Sequence, residues 1–555
     1  MSKLTMANIV IPRYADLGKA AAEDDDDYFS DCFVDTGIID RILANNSSTS
    51  VLVGRTGSGK SAIIRRIKET HDNVCELHPD NLSLAYLADS WLLKFLTDQN
   101  FDLSLFYQQL WRHVLVVELL RFYEKLDSAN KSKTFLAKLN NLFKDNSGKQ
   151  KAMEYLTKYG GDFWSDTDER IRHITEEFQK QVETEAGAAF KGVETKYRRG
   201  ETIGRHEAKE LVSKAQKITS SVQMQELAKI IDILDEDIFT DRMKRVILVI
   251  DDLDQQWADD RIRIKLIEAL INAIPKFRKI KNVKIIVGMR DDLLGIVLGQ
   301  ASTSGFQRDK FQDYHQRLSW KQSELKDIIN RRIEKLFTRK YTGSSVCVDD
   351  IFEAPNIAQD NFLYMCDRTM LRPRDILSYF NMIFDRFGGR TKITLKDIRS
   401  VELDYSKGRR HALVDEWRDA FPCIDDLIGF LGHKKLSATF RLGAVSDDAV
   451  DETATKLYAA NESSDLPIAL FAKAHFEDHD QNSRNNFLYK MISILYRIGA
   501  VGLRTQENSR TQFSFISSSF ISIDEIGPNT WCLVHPMLWQ TLGRRGEVKN
   551  IYSEN

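Results

Sequence analysis

Four short, mainly apolar runs stand out from the polar background of this sequence and predict strands. They are Val51–Val53, Val74–Leu77, Val246–Ile250 and Val283–Val287. The third run is apolar throughout, which is typical of a strand buried on both faces of a parallel sheet. Helical patterns follow three of the runs, and this alternation of strand and helix predicts an α/β fold with a parallel sheet.

Residues 82–240 repeat apolar side chains at helical spacing and predict a large helical insertion. Lys60 and Asp251 are 191 residues apart in the sequence, more than a step between two strands needs, so the segment is predicted to interrupt the sheet domain. Residues 166–216 are more polar and predict a projecting, solvated helical hairpin. A partner-binding arm is the alternative interpretation of that hairpin.

The last third of the chain is predicted to be helical at first and then mixed. A helix over Ser323–Phe337 opens a helical segment, and another covers Asn486–Ile498. After that helix come a turn and a β-rich stretch, predicted at Phe513–Ile516, Ser519–Ile523 and Thr530–Val534. Helix, turn and β-hairpin in this order resemble a winged helix.

These patterns divide the chain into five predicted parts. They are an N-terminal leader packing on the core (1–50), a P-loop ATPase core (51–81 and 241–322), the helical insertion (82–240), a helical lid (323–405) and a winged-helix-like domain (406–555). The leader contains the acidic run Asp24–Asp27, which is predicted to be solvated.

Composition narrows the class of protein but not its function. Net charge is −2, so no global basic excess indicates nucleic-acid binding. The six cysteines form no CxxC pair, which indicates neither zinc nor disulfides and fits a reducing cytoplasm. No apolar run approaches the roughly 20 residues of a membrane helix, and no secretory segment is visible at the N-terminus. A cytoplasmic protein with no membrane role is therefore expected.

A glycine-rich segment after the first run matches G-x-x-x-x-G-K-[ST] at every position. Its residues are Gly54, Arg55, Thr56, Gly57, Ser58, Gly59, Lys60 and Ser61, with Ala62 next. Glycines permit backbone angles that turn N–H groups inward around a phosphate, and the following helix adds partial positive charge. The segment Gly54–Ala62 is predicted to bind ATP, with Lys60 on the β- and γ-phosphates and Ser61 on Mg²⁺. A glycine-rich turn without function is the alternative.

Two carboxylates follow the third run and are typical of the second half of such a site. Asp251 is predicted to bind Mg²⁺ through a water molecule, and Asp252 to orient or deprotonate the attacking water. A strand that ends in a solvated acidic turn is the alternative. Asp254 extends the acidic cluster and is predicted to be a neighbour rather than a catalyst.

Two arginines are candidates for sensing the γ-phosphate. Arg290 follows the fourth run and is the first candidate, and pairing with Asp291 or Asp292 is its alternative explanation. Arg374 lies in the first turn of a helix that Pro373 is suited to begin, with Arg372 as runner-up. The alternative for that pair is the start of a surface helix. Arg308 and Arg317 are candidates for an arginine finger acting in trans.

The order of these motifs resembles a known family. The loop Gly54–Ser61, the acids at Asp251–Asp254, Arg290, the segment Gln316–Trp320 and the lid motif Arg372–Asp375 resemble prokaryotic P-loop ATPases of the AAA+/STAND superfamily. The order is close to the KAP and origin-recognition-like groups and to the single-chain type found in antiphage defence loci. The resemblance implies ATP hydrolysis and a role in defence. The chain departs from KAP proteins in its polar insertion, without membrane segments.

Three functions remain open from the sequence. The first is an ATPase switch that couples nucleotide state to self-association or to an effector protein. The second is a nucleic-acid-dependent motor or loader that contacts DNA through the winged helix, with cations at Lys434, Lys435, Arg441, Arg504, Arg510, Arg544 and Arg545. The third is a nucleotide-binding scaffold with little turnover. The apolar composition of the helix Asn486–Ile498 favours a winged helix that only packs or binds protein, and nucleic-acid contact is the alternative.

Overall fold

The computed structural model divides the chain into two compact units. The sheet unit comprises Gly37–Arg55 and Lys60–Arg317, and the terminal unit comprises Met1–Thr36, Thr56–Gly59 and Leu318–Asn555. The described residues are 9–44, 47–79, 87, 90–99, 101–125, 129–142, 150, 167–219, 223–255, 260–301, 313–338, 345–353, 360–460, 467–478, 480–507, 509–516, 521–547 and 550–552.

A five-stranded parallel sheet forms the centre of the sheet unit. Its strands are β1 (Val51–Gly54), β2 (Val74–Leu77), β3 (Val246–Ile250), β4 (Val283–Arg290) and β5 (His315–Arg317), in the spatial order β2-β3-β4-β1-β5. β4 therefore lies between β1 and β3. The four predicted apolar runs are all strands. The fifth strand, β5, overlaps the motif segment Gln316–Trp320 at its first two residues. A mostly helical chain around a parallel sheet is what an α/β P-loop fold requires.

The register of the sheet places the candidate residues at one edge. Gly54 at the end of β1 lies opposite Arg290 at the end of β4. Ile250 at the end of β3 pairs with Val287 of β4. Because parallel strands all end at the same edge, the glycine-rich loop, the acids after β3 and Arg290 leave the sheet on the same side.

Helices surround this sheet, and the predicted insertion packs against its own unit. The helices are Ile38–Leu43, Lys60–Thr70, Trp91–Asp98, Ser104–Glu124, Ala129–Leu142, Thr167–Ala186, Ala188–Arg199, Arg205–Thr219, Gln223–Ile233, Asp260–Ala273 and Asp291–Ala301. The indole N–H of Trp111 donates to the Leu266 carbonyl at 2.8 Å, which joins the long inserted helix to a helix that follows β3. Both side chains are buried in one core with the sheet.

The polar segment 166–216 is not a solvated projecting hairpin, and that prediction was wrong. Its described residues form parts of three helices, each with a buried apolar stripe. Phe178, Val193 and Leu211 lie in the same core as the sheet strands. The ring of Phe190 lies 5.1 Å from that of Trp91. Charged residues dominate the composition, but one apolar position per turn is enough to bury one face of a helix.

The terminal unit contains the remaining helices and a small antiparallel sheet. The helices are Phe29–Cys32, Gln322–Thr338, Val348–Ile351, Asn361–Cys366, Pro373–Phe387, Leu395–Trp417, Ile424–Phe430, Asp447–Ala460, Pro467–Asp478 and Gln481–Arg497. The strands are β6 (Thr439–Arg441), β7 (Val501–Arg504) and β8 (Trp531–Val534), in the order β6-β8-β7. Their buried side chains form a second core.

The predicted β-rich stretch is only partly correct. Thr530–Val534 contains β8, but β7 begins at Val501, where the sequence pattern predicted only a turn. Phe513–Ile516 is not a strand; it runs into a turn, and the ring of Phe513 packs 5.1 Å from that of His535. Part of Ser519–Ile523 lies outside the described residues. The alternating polar and apolar residues of 513–516 fill the core from a turn, which local periodicity does not distinguish from a strand.

The acidic run of the leader was also misjudged at one position. Asp25 is buried, and its carboxylate forms an ion pair with Arg332 at 2.5 Å. The same carboxylate accepts the backbone N–H of Lys19 at 2.8 Å. The guanidinium of Arg332 also donates to the Leu17 carbonyl at 2.6 Å. One aspartate of the run therefore anchors the leader to the helix Gln322–Thr338 instead of being solvated.

No helix of the described residues combines the length and apolar character that a membrane crossing requires. The six cysteines are all free thiols, and five of them are buried. Burial raises the pKa of Cys75 to about 12, and that of Cys423 to about 11. These two side chains therefore act as small apolar core residues rather than nucleophiles.

Candidate functional site

The glycine-rich loop leaves β1 and turns directly into a helix. β1 ends at Gly54, and Lys60 is the first residue of the helix Lys60–Thr70. Gly57 and Gly59 have φ angles of 77° and 97°, a region that side chains disfavour. The ammonium of Lys60 donates to the carbonyls of Gly54 at 3.0 Å and Arg55 at 3.3 Å. The loop thus curls around its own lysine, ahead of a helix N-terminus suited to anions.

The loop tip Thr56–Gly59 belongs to the terminal unit and is held there by its backbone. The N–H of Thr56 donates to the Glu416 carboxylate at 3.2 Å, and its carbonyl accepts from Arg372 at 3.1 Å. The indole of Trp320 donates to the Ser58 carbonyl at 2.7 Å. Glu416, near the C-terminal end of the helix Leu395–Trp417, and Arg372, the residue before the helix Pro373–Phe387, therefore contact the backbone of the same residue.

Arg372 is the centre of a buried cluster of charges. It donates to the carboxylates of Asp375 and Glu416, each at 2.9 Å. Asp375 is also paired with Arg409 at 2.8 Å. Burial alone would raise the pKa of Asp375, but the guanidinium groups of Arg372 and Arg409 lower it to about 2. Burial would lower the pKa of Arg372, and its two carboxylates outweigh that and raise it. Arg372 and Asp375 are therefore both charged at neutral pH.

Arg374 reaches the loop through its backbone rather than through its guanidinium. Its N–H donates to the Gly57 carbonyl at 3.4 Å, while its Nε donates to the carbonyl of Ala20 at 3.3 Å. A Cβ on Gly57 would lie 2.6 Å from the Cβ of Arg374, so only glycine fits beneath this helix. Arg372, the runner-up of the sequence analysis, is the arginine whose guanidinium contacts the loop.

Two hydroxyl groups of the loop tip are buried without a partner. Among the described residues, neither Thr56 Oγ1 nor Ser58 Oγ has a hydrogen-bond partner. A buried hydroxyl without a hydrogen bond is costly. An oxyanion near the loop tip would satisfy both groups, which agrees with a phosphate-binding role for the segment.

Asp251 and Asp252 follow β3 with different surroundings. Asp251 is 8% exposed, and burial together with the adjacent Asp252 carboxylate raises its pKa to about 6. Asp252 has a φ of 60°, a left-handed conformation that aspartate and asparagine tolerate better than most residues. Two adjacent carboxylates, one of them buried, form a set of oxygens that suits Mg²⁺. Strained backbone beside such acids is common at functional sites.

Gly288 makes the room that Asp251 occupies. It lies on β4, next to β3, and a Cβ built on it would come within 2.3 Å of the Asp251 Oδ1 atom and 3.2 Å of Ile64. The φ angle of Gly288 is one that other residues also adopt, so the reason for glycine at this position is steric. The close approach of a neighbouring side chain explains a glycine inside a buried strand.

Gly288→Ala should therefore lower nucleotide hydrolysis at least tenfold, because the new methyl group displaces the Asp251 carboxylate. Steady-state hydrolysis assays, with circular dichroism as a check of folding, would measure this. Gly192→Ala is the matched control, since a Cβ there meets nothing within 4 Å. Equal activity of the two variants would contradict the positioning role of Gly288.

Arg290 is bound on both sides by carboxylates. Its Nε and one terminal nitrogen donate to Asp292 at 3.0 and 2.7 Å, and the other donates to Asp254 at 3.2 Å. Pairing with Asp292 was one of the two interpretations of this residue, and any sensor role requires exchange of these partners. Arg317 pairs with Asp291 at 2.6 Å. Arg308 lies outside the described residues.

The residues present fit ATP with Mg²⁺. The loop offers buried hydroxyls, a lysine and a helix N-terminus for phosphate oxygens. Ser61 lies in the first turn of that helix, and Asp251 provides a carboxylate for the metal. Within the described residues, no group of three or more His, Cys, Asp or Glu side chains is arranged to hold a metal ion. Mg²⁺ needs only one or two carboxylates when substrate phosphates and water complete its shell.

Three residues of this site were not singled out from the sequence. Glu416 is 360 residues from Thr56, and nothing in its own segment marks it. Trp320 was named only as part of the motif segment Gln316–Trp320, although its indole donates to the Ser58 carbonyl. Gly288 had a usable signal, because glycine is unfavourable inside an otherwise apolar strand.

The similarities between this chain and known proteins are remote. Residues 323–414 match the FunZ-associated C-terminal helical domain family. Over 546 residues the chain is 22% identical to the "Putative transposon gamma-delta 80.3 kDa protein" of Escherichia coli strain K12, covering 94% of this chain and 66% of that protein. The "walker-type atpase paby2304 of pyrococcus abyssi" is 11% identical, covering 90% of this chain and 95% of that one, with a TM-score of 0.35. Such low similarity adds no argument, so the function rests on the site itself.

Proposed function

We propose that this chain is an ATP-binding and ATP-hydrolysing molecular switch that couples nucleotide state to assembly or to a partner effector. The observation that supports it most is the pair of hydrogen bonds to the backbone of Thr56. Glu416 accepts its N–H and Arg372 donates to its carbonyl. The loop tip Thr56–Gly59 is therefore joined by hydrogen bonds to two long helices of its own unit.

Each residue of the site has a defined task in this proposal. The loop Gly54–Ala62 binds the phosphates, and Lys60 exchanges its carbonyl partners for the β- and γ-phosphate oxygens. Ser61 and Asp251 hold the metal. When bound, Mg²⁺ neutralises charge that develops on the phosphates. Asp252 orients the attacking water and accepts its proton.

Arg290 and Arg374 are proposed as sensors of the γ-phosphate. Arg290 would release Asp254 or Asp292, both of which hold it in this structure. Arg374 would release the Ala20 carbonyl, a bond of 3.3 Å that is easily exchanged. Each exchange replaces an existing partner by a phosphate oxygen, so it can respond to the presence or absence of that phosphate.

Switching follows from competition for the loop backbone. Phosphate-binding loops use backbone N–H groups as donors. The Thr56 N–H is already donated to Glu416. A nucleotide that draws this N–H toward a phosphate weakens the Glu416 contact and disturbs the ionised cluster around Arg372. Differential contact of this kind is what lets a ligand shift a conformational equilibrium.

Asp252→Asn tests the catalytic half of the proposal. Asparagine tolerates the left-handed backbone at this position, so the fold should be retained. We expect kcat to fall by about 10²–10⁴-fold while the affinity for ATP stays within a few fold, because only the general base is lost. Single-turnover hydrolysis and nucleotide-binding titrations would measure the two effects. Unchanged turnover would contradict a catalytic Asp252 and favour a passive nucleotide-binding scaffold.

The output is tested by measuring mass and shape in two nucleotide states. The Asp252→Asn chain should differ between its ATP-bound and ADP-bound states in mass, measured by light scattering, or in shape, measured by small-angle X-ray scattering. Identical mass and shape would count against a switch. A role in antiviral defence comes from the family resemblance alone. It predicts that phage plaque numbers rise when Lys60→Ala replaces the native chain in its host.

A nucleic-acid-dependent ATPase is the second candidate. The strand order β6-β8-β7 next to the helix Gln481–Arg497 supports a winged helix. Some of its cations are already used internally: Arg544 donates to the carbonyls of Leu431 and Leu436, and Lys435 pairs with Asp448. An ATPase rate that does not respond to DNA at low salt would contradict this candidate.

A further inference from the structure

A cleft lies at the edge of the parallel sheet opposite the glycine-rich loop. It has a volume of about 460 Å³ and is lined by the residues that lead into β1, β3 and β4. Ser47 and Ser50 precede β1, Arg245 precedes β3, and Asn282 precedes β4. Since these strands are parallel and β1 runs away from the cleft into the loop, the cleft is separate from the candidate nucleotide site.

Five cations line this cleft, and none of its lining residues is acidic. They are Arg242, Arg245, Arg278, Lys281 and Lys284. Among the described residues, none of the five forms an ion pair. Asp235, which is not among the described lining residues, accepts the backbone N–H of Lys281 at 3.0 Å. In a chain with a net charge of −2, this is a local concentration of positive charge without an ion-pair partner among the described residues.

Two of the cations are held inside the protein rather than extended into solvent. Lys284 is 6% exposed and lies within β4, and its ammonium donates to the Ser47 carbonyl at 3.1 Å. Arg245 donates to the Leu43 carbonyl at 2.5 Å, and its Nε is buried with no partner among the described residues. Burial and the charges of Arg245 and Arg278 lower the pKa of Lys284 to about 8.

Such an arrangement is unfavourable unless an anion completes it. Like charges repel one another, and a buried donor without an acceptor costs free energy. Lysine is rarely buried without a partner. A bound anion would remove both penalties at once, because it supplies counter-charge to the whole group and an acceptor for Arg245 Nε.

The chemistry of the lining favours phosphate. Guanidinium groups present forked donors that match phosphate oxygens, and three are available with two ammonium groups. Ser47, Ser50 and Asn282 add uncharged polar groups to the lining. No aromatic ring of the lining is open for stacking, since Phe277 is 2% exposed. Arg278 covers the ring of Tyr314 at 4.3 Å. The cleft is therefore built to recognise phosphate and not a base.

We propose that this cleft is a second phosphate-binding site, which takes consecutive phosphate groups of either a nucleic-acid backbone or a free polyphosphate. The two sources share the same chemistry of recognition. The proposal does not depend on the ATPase function, because the cleft and the glycine-rich loop lie at opposite ends of the same strands.

Binding to the full-length chain separates the two sources. A fluorescein-labelled single-stranded 20-nucleotide DNA would be followed by anisotropy at 50 mM salt. Tripolyphosphate would be followed by calorimetry in the presence of saturating ADP, which occupies the other phosphate site. Arg242→Gln/Arg278→Gln is the test variant, because both residues are exposed, and circular dichroism checks that the variant folds. Arg172→Gln/Arg198→Gln is the control, with the same loss of charge from exposed helix positions.

We expect at least one probe to bind and the test variant to bind it at least tenfold more weakly, while the control variant stays within twofold of the native chain. If the DNA is the probe that binds, its binding to the test variant should also depend less steeply on salt concentration. Each phosphate that the variant no longer contacts keeps its counterions, so fewer ions are released on binding. Binding of DNA alone assigns the backbone, and binding of tripolyphosphate alone assigns the free polyphosphate. Failure of both probes to bind, or an equal effect of both double variants, overturns the proposal.

Discussion

Replacing Lys60 with alanine should lower kcat/KM for ATP hydrolysis by about 10²–10³-fold, the usual effect of removing one donor to charge developing in a transition state. In this structure the ammonium of Lys60 is held by the Gly54 and Arg55 carbonyls, at 3.0 and 3.3 Å. It is therefore already inside the loop, where phosphate oxygens would replace the carbonyls. Steady-state hydrolysis would measure the loss of turnover, and titration with a fluorescent ATP analogue would measure the loss of nucleotide affinity.

The loss should be specific to this lysine. The charge of Lys60 also lowers the pKa of the buried Asp251 carboxylate, so the unfolding midpoint of the variant should be measured beside its hydrolysis rate. Lys68→Ala is the matched control, because Lys68 lies on the same helix and pairs with Glu76 at the surface. Native-like hydrolysis by Lys60→Ala, or an equal loss in Lys68→Ala, would contradict the assignment of Gly54–Ser61 as a phosphate-binding loop.

Arg372→Ala should have the largest effect on stability, about 3–5 kcal/mol of unfolding free energy. The residue is 5% exposed and its removal leaves the buried carboxylate of Glu416 without its cation. Asp375 keeps Arg409 at 2.8 Å but loses its other guanidinium. Urea unfolding followed by circular dichroism would measure the loss, and nucleotide affinity should change as well, because the Thr56 carbonyl loses its donor.

Arg368→Ala separates the two effects. Arg368 is equally buried and pairs with Glu402 at 2.7 Å, but it does not contact the loop. Both variants should be destabilised, and only Arg372→Ala should change the affinity for ATP measured on the folded protein at low temperature. Equal affinities in the two variants would contradict the coupling of this cluster to the loop.

The contribution of the same cluster to the unfolding free energy should depend on pH in the acid range. The native pKa of Asp375, about 2, lies below its unfolded value near 3.9, so its contribution is complete above about pH 4 and is lost as the pH falls toward 2. Without Arg372 the native pKa rises, and the loss of unfolding free energy between pH 5 and pH 2.5 should be smaller than in the native chain. Arg368→Ala should retain the native dependence on pH.

Several features of this protein followed from the sequence because their causes are local. The loop motif is contiguous, and its glycines, lysine and serine imply their own geometry. The strand Val246–Ile250 was predicted with its observed bounds, since a run of apolar residues that ends in two aspartates has few other structures.

Other features were decided only by tertiary contacts. The sequence predicted solvation for the run Asp24–Asp27 because charged runs usually face water, yet Arg332, more than three hundred residues away, draws Asp25 into the interior. Composition also misled at 166–216, because a polar helix needs only one apolar stripe to pack, and its partner surface lies elsewhere in the chain.

The phosphate-binding pattern of the glycine-rich loop was thus determined by the sequence alone. The residues that surround the loop were determined by the tertiary structure. Eight consecutive residues specify how a phosphate can be bound, since backbone angles and a helix N-terminus are local properties. Which groups hold the tip of that loop depends on residues far along the chain, among them Glu416 and Trp320. The five cations of the cleft, which form no ion pair among the described residues, depend on the fold too, since the parallel strands bring their separate segments to one edge.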